Sequence, residues 1–193
     1  MPDMWESLAA FKKEGSFPSA YPSLVRRFWA GRDQVHEVLK AVVGSAQHSL
    51  CINMFGFDDD DLDLIIRTKL DAEHVFVQLS LDKSQAGGVH ERAILAGWDP
   101  EDITNSVAIG TSAGHAISHL KMVIVDGIYT ISGSTNWSTS GESLQDNELT
   151  VTNDPLLAAE ARTILDINHQ VMRTQQAAAE KKAAVVVNPS PKA

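Results

Sequence analysis

Cysteine is almost absent: Cys51 is the only one in 193 residues. A single thiol excludes an intramolecular disulfide and any metal site made of several cysteines. It sits in the apolar run Leu50-Cys51-Ile52-Asn53-Met54-Phe55, which indicates a buried, inert thiol rather than a nucleophile. Long apolar runs are missing too. No segment approaches the roughly 20 residues of a membrane-spanning helix. The opening Met1-Pro2-Asp3-Met4-Trp5-Glu6 has no basic stretch followed by an apolar block and does not read as a secretory signal, so a cytoplasmic protein is expected. Internal repeats are lacking as well. Positive charge is in short supply: 16 Lys and Arg stand against 25 Asp and Glu, a formal charge of −9. That balance argues against a generic nucleic-acid coat, which binds by neutralising phosphates with Lys and Arg. It leaves room for an anionic substrate, because a few cations focused in a cleft outweigh the average charge locally.

What is present fits one globular domain with a core of its own, at 44% apolar residues. Residues 1–23 read as a polar lead-in, with a short helix near Trp5 to Lys12. Leu24 to Trp29 reads as a strand, followed by a helix to Val43 with Asp33 as its N-cap. Ser49 to Phe55 is a second strand. Asp58 to Lys69 is a helix whose first turn is crowded with aspartates, suited to the positive end of the helix dipole. These aspartates read as a helix start; they lack the loop spacing of a calcium site. His74 to Leu81 is a third strand, residues 83–88 a loop, Val89 to Ala96 a helix and residues 97–106 a loop, with Asp99-Pro100 as a turn.

The C-terminal half changes character. Ser118 to Val125 and Ile128 to Ser132 read as strands joined by the tight turn Asp126-Gly127. Met122 to Val125 are apolar without alternation, as in a strand covered on both faces. Glu148 to Thr152 is another strand. Asp154-Pro155 opens a helix to Arg173, with Leu157, Ala161, Ile164, Leu165, Asn168 and Met172 in phase. Residues 174–193 read as a low-complexity tail, disordered or frayed helix. The body is thus expected over residues 24–173, as an α/β fold: an α-β-α sandwich with a mixed sheet flanked by helices.

The chemistry concentrates in Ser118-His119-Leu120-Lys121-Met122-Val123-Ile124-Val125-Asp126 and Gly133-Ser134-Thr135-Asn136-Trp137-Ser138. On a strand His119 and Lys121 share a side. An imidazole and an ammonium held together suit a phosphodiester: the first attacks phosphorus or moves a proton, the second stabilises charge on the non-bridging oxygens. Ser134 and Asn136 add neutral donors. Glu148 can accept the second ring N–H of a histidine and fix its tautomer.

This arrangement resembles the phospholipase D superfamily. Its HxKxxxxD signature is matched by His119, Lys121 and Asp126, its GSxN continuation by Gly133, Ser134 and Asn136, and its downstream acid by Asn147-Glu148. The likeness runs from about Phe28 to Met172, with Leu79-Ser80-Leu81-Asp82 similar to the family's strand ending in Asp. The resemblance implies a two-step reaction without a metal or other cofactor. One histidine forms a phosphohistidine, a second protonates the leaving oxygen, and water releases the product. It also implies a structural role for Asp126. The reaction needs two such histidines and the chain has one; His36, His48, His74, His90, His115 and His169 lack the pattern. The chain thereby resembles the small single-motif bacterial endonucleases of the superfamily, and an isologous homodimer is the economical way to complete the site.

Each residue also has a plainer reading. His119 alone could be a core histidine, and Ser134 and Asn136 a simple turn. Glu148 could pair with any cation. His115 suits a surface loop as well as a cleft rim. A His115/His119 metal pair lacks an evident third ligand. Trp137 is a candidate to stack on substrate, although core packing is the commoner fate of a tryptophan. Lys83, just past a strand end, is placed where α/β folds gather ligand contacts, and a solvated loop fits it equally. The expected function is a metal-independent phosphodiesterase, foremost a nuclease acting on DNA or RNA, although residues 1–173 carry 13 Lys and Arg against 24 Asp and Glu. The alternatives are a lipid-directed phosphodiesterase or phosphatidyl transferase, and a non-catalytic dimeric scaffold. The former wants an apolar rim or an amphipathic membrane helix, for which the sequence offers no strong candidate, and no stable membrane association is expected.

Overall fold

The computed structural model describes residues 3–72, 74–86 and 95–187. Its centre is a seven-stranded sheet: β1 (Val25–Trp29), β2 (Ser49–Met54), β3 (Phe76–Asp82), β4 (Val107–Gly110), β5 (Lys121–Val125), β6 (Tyr129–Gly133) and β7 (Glu148–Asn153), in the spatial order β1-β7-β6-β5-β2-β3-β4. β2, β3 and β4 run parallel to one another, and the remaining pairs are antiparallel. The helices are α1 (Met4–Ser7), continued by a 3-10 turn over Leu8–Phe11, then α2 (Val35–Gly44), α3 (Asp60–Leu70), α4 (Lys83–Ala86), α5 (Pro100–Ser106), α6 (Thr139–Ser143) and α7 (Pro155–Val187).

Alternation along the central strands builds both faces. On β2, Leu50, Ile52 and Met54 join a large core with Val38, Leu39 and Val42 of α2 and Leu62 and Ile66 of α3; Cys51 joins a smaller one with Ile124 of β5 and Ala158 and Leu165 of α7. The sheet is therefore covered on both sides, and the α-β-α sandwich expected from the sequence is the observed architecture. Met122 to Val125 divide between the two cores as a doubly covered strand should. Burial pushes the Cys51 thiol up to about 11, an inert group.

The turn at Asp126-Gly127 has positive φ at both residues, 53° and 65°, as in a type I′ turn, closed by Ile128 N donating to the Val125 carbonyl at 3.0 Å; three residues separate the paired Val125 and Tyr129. Asp126 also accepts hydrogen bonds from the backbone N–H groups of Gln47, His48 and Ser49, so it ties this end of β5 to the start of β2.

Several expectations change. Residues 83–86, read as loop, form α4. Asp33 does not cap α2, whose N-cap is Gln34 without a side-chain bond. Its buried carboxylate instead accepts from Lys12 Nζ at 2.6 Å and from the N–H groups of Lys13 and Trp29, both at 2.9 Å, fastening the lead-in to the body. Residues 97–106 are not simply loop: Asp99 accepts from Glu101 N and Pro100 occupies the first turn of α5. The C-terminal helix buries Ala158, Leu165 and Met172, while Leu157 and Ile164 are about half exposed. It also continues through Val187, so residues 174–187, read as tail, are helical. The helix expected over Val89 to Ala96 lies largely outside the described residues.

Candidate active site

Strand direction gathers the chemistry at one end of the sheet. Met54 ends β2 opposite Lys121, which begins β5; Leu81 of β3 neighbours Met54. Gly133 ends β6 beside Leu149, and Glu148, which begins β7, faces Trp29 at the end of β1. Asp82 ends β3 at the same end, and Lys83 follows it. Asp126 is at the far end of β5, away from this group.

β5 begins at Lys121, so His119 lies in the irregular segment just before the strand rather than within it. The ring is exposed, with Phe55 as its neighbour: the centroids are 4.6 Å apart in an edge-on contact. Lys121 Nζ sits 4.8 Å from the centroid of the same Phe55 ring and donates to the His119 carbonyl at 3.1 Å. Phe55 is thus the shared floor that sets imidazole and ammonium side by side. Lys121 is 6% exposed, and burial pushes its pKa down. Among the described residues no carboxylate pairs with it. A buried ammonium with one carbonyl partner is an open site for an anion.

Beneath His119, buried polar groups hold the approach to the strand. Ser118 N donates to Asp82 Oδ2, and Asn53 Nδ2 donates to Ser118 Oγ at 3.2 Å. Asn168 Nδ2 of α7 in turn donates to Asn53 Oδ1 at 3.2 Å. Asn53 and Asp82 are fully buried and fix the backbone of residue 118 from two strands. The sequence marks Asp82 only as a strand end and gives no role to Asn53 or Phe55, although Asn53 and Asp82 are polar letters inside the apolar stretches of β2 and β3.

The loop after β6 is drawn onto β7. A Cβ at Gly133 would stand 2.2 Å from the Glu148 carbonyl oxygen, so only glycine permits this approach. Ser134 N and Thr135 Oγ1 both donate to that carbonyl, at 3.1 and 3.0 Å. Ser134 Oγ donates to Asn147 Oδ1 at 2.9 Å and accepts from Glu148 N at 3.1 Å. Asn136 packs over Gly56, and its Oδ1 is buried without a partner.

Glu148 Oε2 accepts from Thr150 Oγ1 at 2.9 Å and lies 3.4 Å from Arg27 Nε. No hydrogen bond joins it to His119 among the described residues. Lys83 is exposed at the head of α4. Trp137 requires correction as a substrate-stacking residue: it is 1% exposed, packed edge-on against Phe57 with centroids 5.4 Å apart, and its ring serves the core.

Residues 39–167, well over half of the chain, match the family model described as cardiolipin synthase, PLD-like domain. The chain belongs to the phospholipase D-like family. Among curated proteins nothing matches. Among solved structures, the phospholipase D family member Nuc from Salmonella typhimurium superposes with a TM-score of 0.62 at 19% identity, covering 75% of this chain and 92% of Nuc. NucT from Helicobacter pylori gives 0.64 at 16% identity, covering 76% and 96%. Phosphatidylserine synthase from Haemophilus influenzae gives 0.56 at 16% identity, covering 84% of this chain and 46% of the synthase. At these identities the likeness is one of fold. The phospholipase D-like chain accordingly has the sheet order and covering helices of a family of phosphodiesterases.

Proposed function

We propose that this phospholipase D-like protein is a metal-independent phosphodiesterase with nucleic acid as its substrate, completed by a second copy of the chain. The observation that carries the reading is the buried Lys121 ammonium, with no carboxylate partner among the described residues, beside the exposed His119 imidazole. A phosphodiester anion supplies the missing charge, its non-bridging oxygens taking Lys121 and the Asn136 amide. A ring nitrogen of His119 attacks phosphorus and the P–O bond to the leaving group breaks. The His119 of the second copy gives that oxygen its proton, then takes one from the water that cleaves the phosphohistidine. Glu148 would hold one of the imidazoles in its working tautomer, and Lys83 and Ser134 would meet flanking phosphates. Exposed Trp29, Ile117 and Leu144 occur on segments at or next to the site end, apolar surface that a second protomer would cover. The fold that would carry this chemistry is shared with NucT and Nuc.

One observation favours a lipid-directed phosphodiesterase instead: the acidic balance of −9, with a family model and one structural relative named for lipid synthases. A single assay separates the two. Purified protein in chelator is offered plasmid DNA, RNA, bis-(p-nitrophenyl) phosphate and phosphatidylcholine, with His119→Ala as control. Chelator-resistant cleavage of nucleic acid, lost in the variant, is the expected result. Cleavage of phosphatidylcholine alone selects the lipid reading, and activity that disappears only with chelator rejects the mechanism.

A further inference from the structure

A second cluster of reactive side chains lies apart from His119, where α2, the start of α3 and α6 meet. His36 Nδ1 is 2.6 Å from Glu142 Oε2 and 3.1 Å from Asp59 Oδ2, and the three candidate ligand atoms of His36, Asp59 and Glu142 all lie within 4.8 Å of one another. Glu142 is 3% exposed and Asp59 is 8% exposed. Asp59 spends Oδ1 on the Leu62 N–H as N-cap of α3. Glu142 Oε1 is buried with no hydrogen-bond partner. One imidazolium cannot neutralise two buried carboxylates, and leaving a buried carboxylate oxygen bare is costly.

From this geometry we propose that His36, Asp59 and Glu142 form a divalent transition-metal site, with Zn2+ the fitting ion. One imidazole nitrogen and two carboxylates make a three-ligand set of the kind zinc takes, leaving a fourth position. So few oxygens with a histidine among them disfavour Ca2+ and Mg2+. The ring is held for the purpose from behind: Asp61 Oδ2 lies 3.1 Å from His36 Nε2, and Lys40 Nζ lies 3.2 Å from the same Asp61 oxygen. A carboxylate that takes the Nε2–H leaves the Nδ1 lone pair for a metal. Ligand atoms around an ion at about 2.0–2.2 Å stand about 3–3.5 Å apart, so the closest pair here has to open by less than an ångström. A cavity of about 420 Å³ lined by Gly31, Gln34, His36, Glu37, Glu142 and Ser143 gives an ion its way in and water its place at the fourth position.

The ion would join α2, α3 and α6, and α6 follows the Asn136 loop directly: Ser138 is its N-cap, and Asp58 N donates to the Trp137 carbonyl. The role is to brace the loop from behind, outside the phosphodiester chemistry.

The test uses the whole chain stripped with chelator and titrated calorimetrically with Zn2+, with Mg2+ and Ca2+ as comparators. One Zn2+ per chain, a higher Tm with Zn2+ and no saturable Mg2+ or Ca2+ binding are expected. Glu142→Gln, which keeps the shape and a partner for His36, should lose that binding while its circular dichroism stays native. Asp61→Asn should weaken binding about 10–100-fold, as removing a ligand's outer hydrogen bond does; it also decides the matter if Glu142→Gln does not fold. Absence of saturable Zn2+ binding overturns the proposal. So does undiminished binding in Glu142→Gln and Asp61→Asn, which would assign the ion to surface histidines.

Discussion

At the level of single residues, Lys121 and Gly133 carry the sharpest consequences. Lys121 reaches its position by running over the Phe55 ring, and its nearest hydrogen-bond partner is a carbonyl. In the proposed reaction its charge meets the phosphate of the substrate. Removing it should leave folding intact or improved, because a buried cation with no ion-pair partner among the described residues opposes folding. Lys121→Met is therefore expected to raise Tm while lowering kcat by about 10²–10³-fold, the usual loss when one donor to a developing charge is deleted. Thermal melts and initial rates on bis-(p-nitrophenyl) phosphate measure both. A fall in Tm together with activity would mean that Lys121 is a structural cation. Gly133→Ala should act oppositely. Its Cβ would collide with the Glu148 carbonyl oxygen, which cannot move without parting β6 from β7. A loss of about 3 kcal/mol or more in unfolding free energy is expected from chemical denaturation, with activity lost because residues 134–136 shift.

At the scale of elements, α7 is docked on the sheet through polar as well as apolar groups. His169 Nδ1 is 3.0 Å from Ser80 Oγ, and burial, aided by Arg173, pulls the ring's pKa down to about 4. A histidine whose folded value lies below its unfolded value of about 6.5 stabilises the fold above pH 6.5, and that contribution is lost as pH falls through 4. After a discount for the part of the ring that water reaches, it amounts to about 2 kcal/mol. His169→Gln, able to keep the bond to Ser80, should flatten the decline of Tm between pH 6.5 and 4, followed by differential scanning calorimetry. An unchanged acid limb would show that the fold does not depress the titration of His169.

The same elements show what the sequence makes readable. β5, its turn and β6 were legible because apolar runs and an Asp-Gly pair are local signals with one physical meaning. Asp99-Pro100 has two meanings, turn or N-cap with a first-turn proline, and only the surrounding packing chose the second. On α7 the apolar letters exceed what one face can bury, so Leu157 and Ile164 seemed as good as Ala158 and Leu165; small Ala158 wins because it lets the helix approach Cys51 and Ile124. The site's motif residues were legible by spacing. Their support was not, since Phe55, Asn53 and Asp82 come from two other strands. Trp137 was ambiguous by chemistry and was resolved by Phe57. His36, Asp59 and Glu142 are scattered across three elements, so no spacing along the chain announces them.

For the whole molecule, the proposed reaction makes a demand that a single chain cannot meet: the proton donor must be another copy of the nucleophile. If one phosphorus atom is handled by two His119 side chains, every productive unit is a pair of intact chains. Wild type should sediment as a dimer at assay concentration, and dilution below its dissociation constant should lower activity per chain. A sharper check mixes wild type with His119→Ala in equal amounts under conditions that let subunits exchange. Random pairing leaves about one quarter of the dimers with both histidines, so total activity should fall to about one quarter of that of an undiluted all-wild-type sample at the same chain concentration. Independent protomers would retain about one half. The two outcomes differ twofold, well outside the scatter of a rate measurement, and they separate a composite site from a dimer of self-sufficient sites, which mass in solution alone does not do.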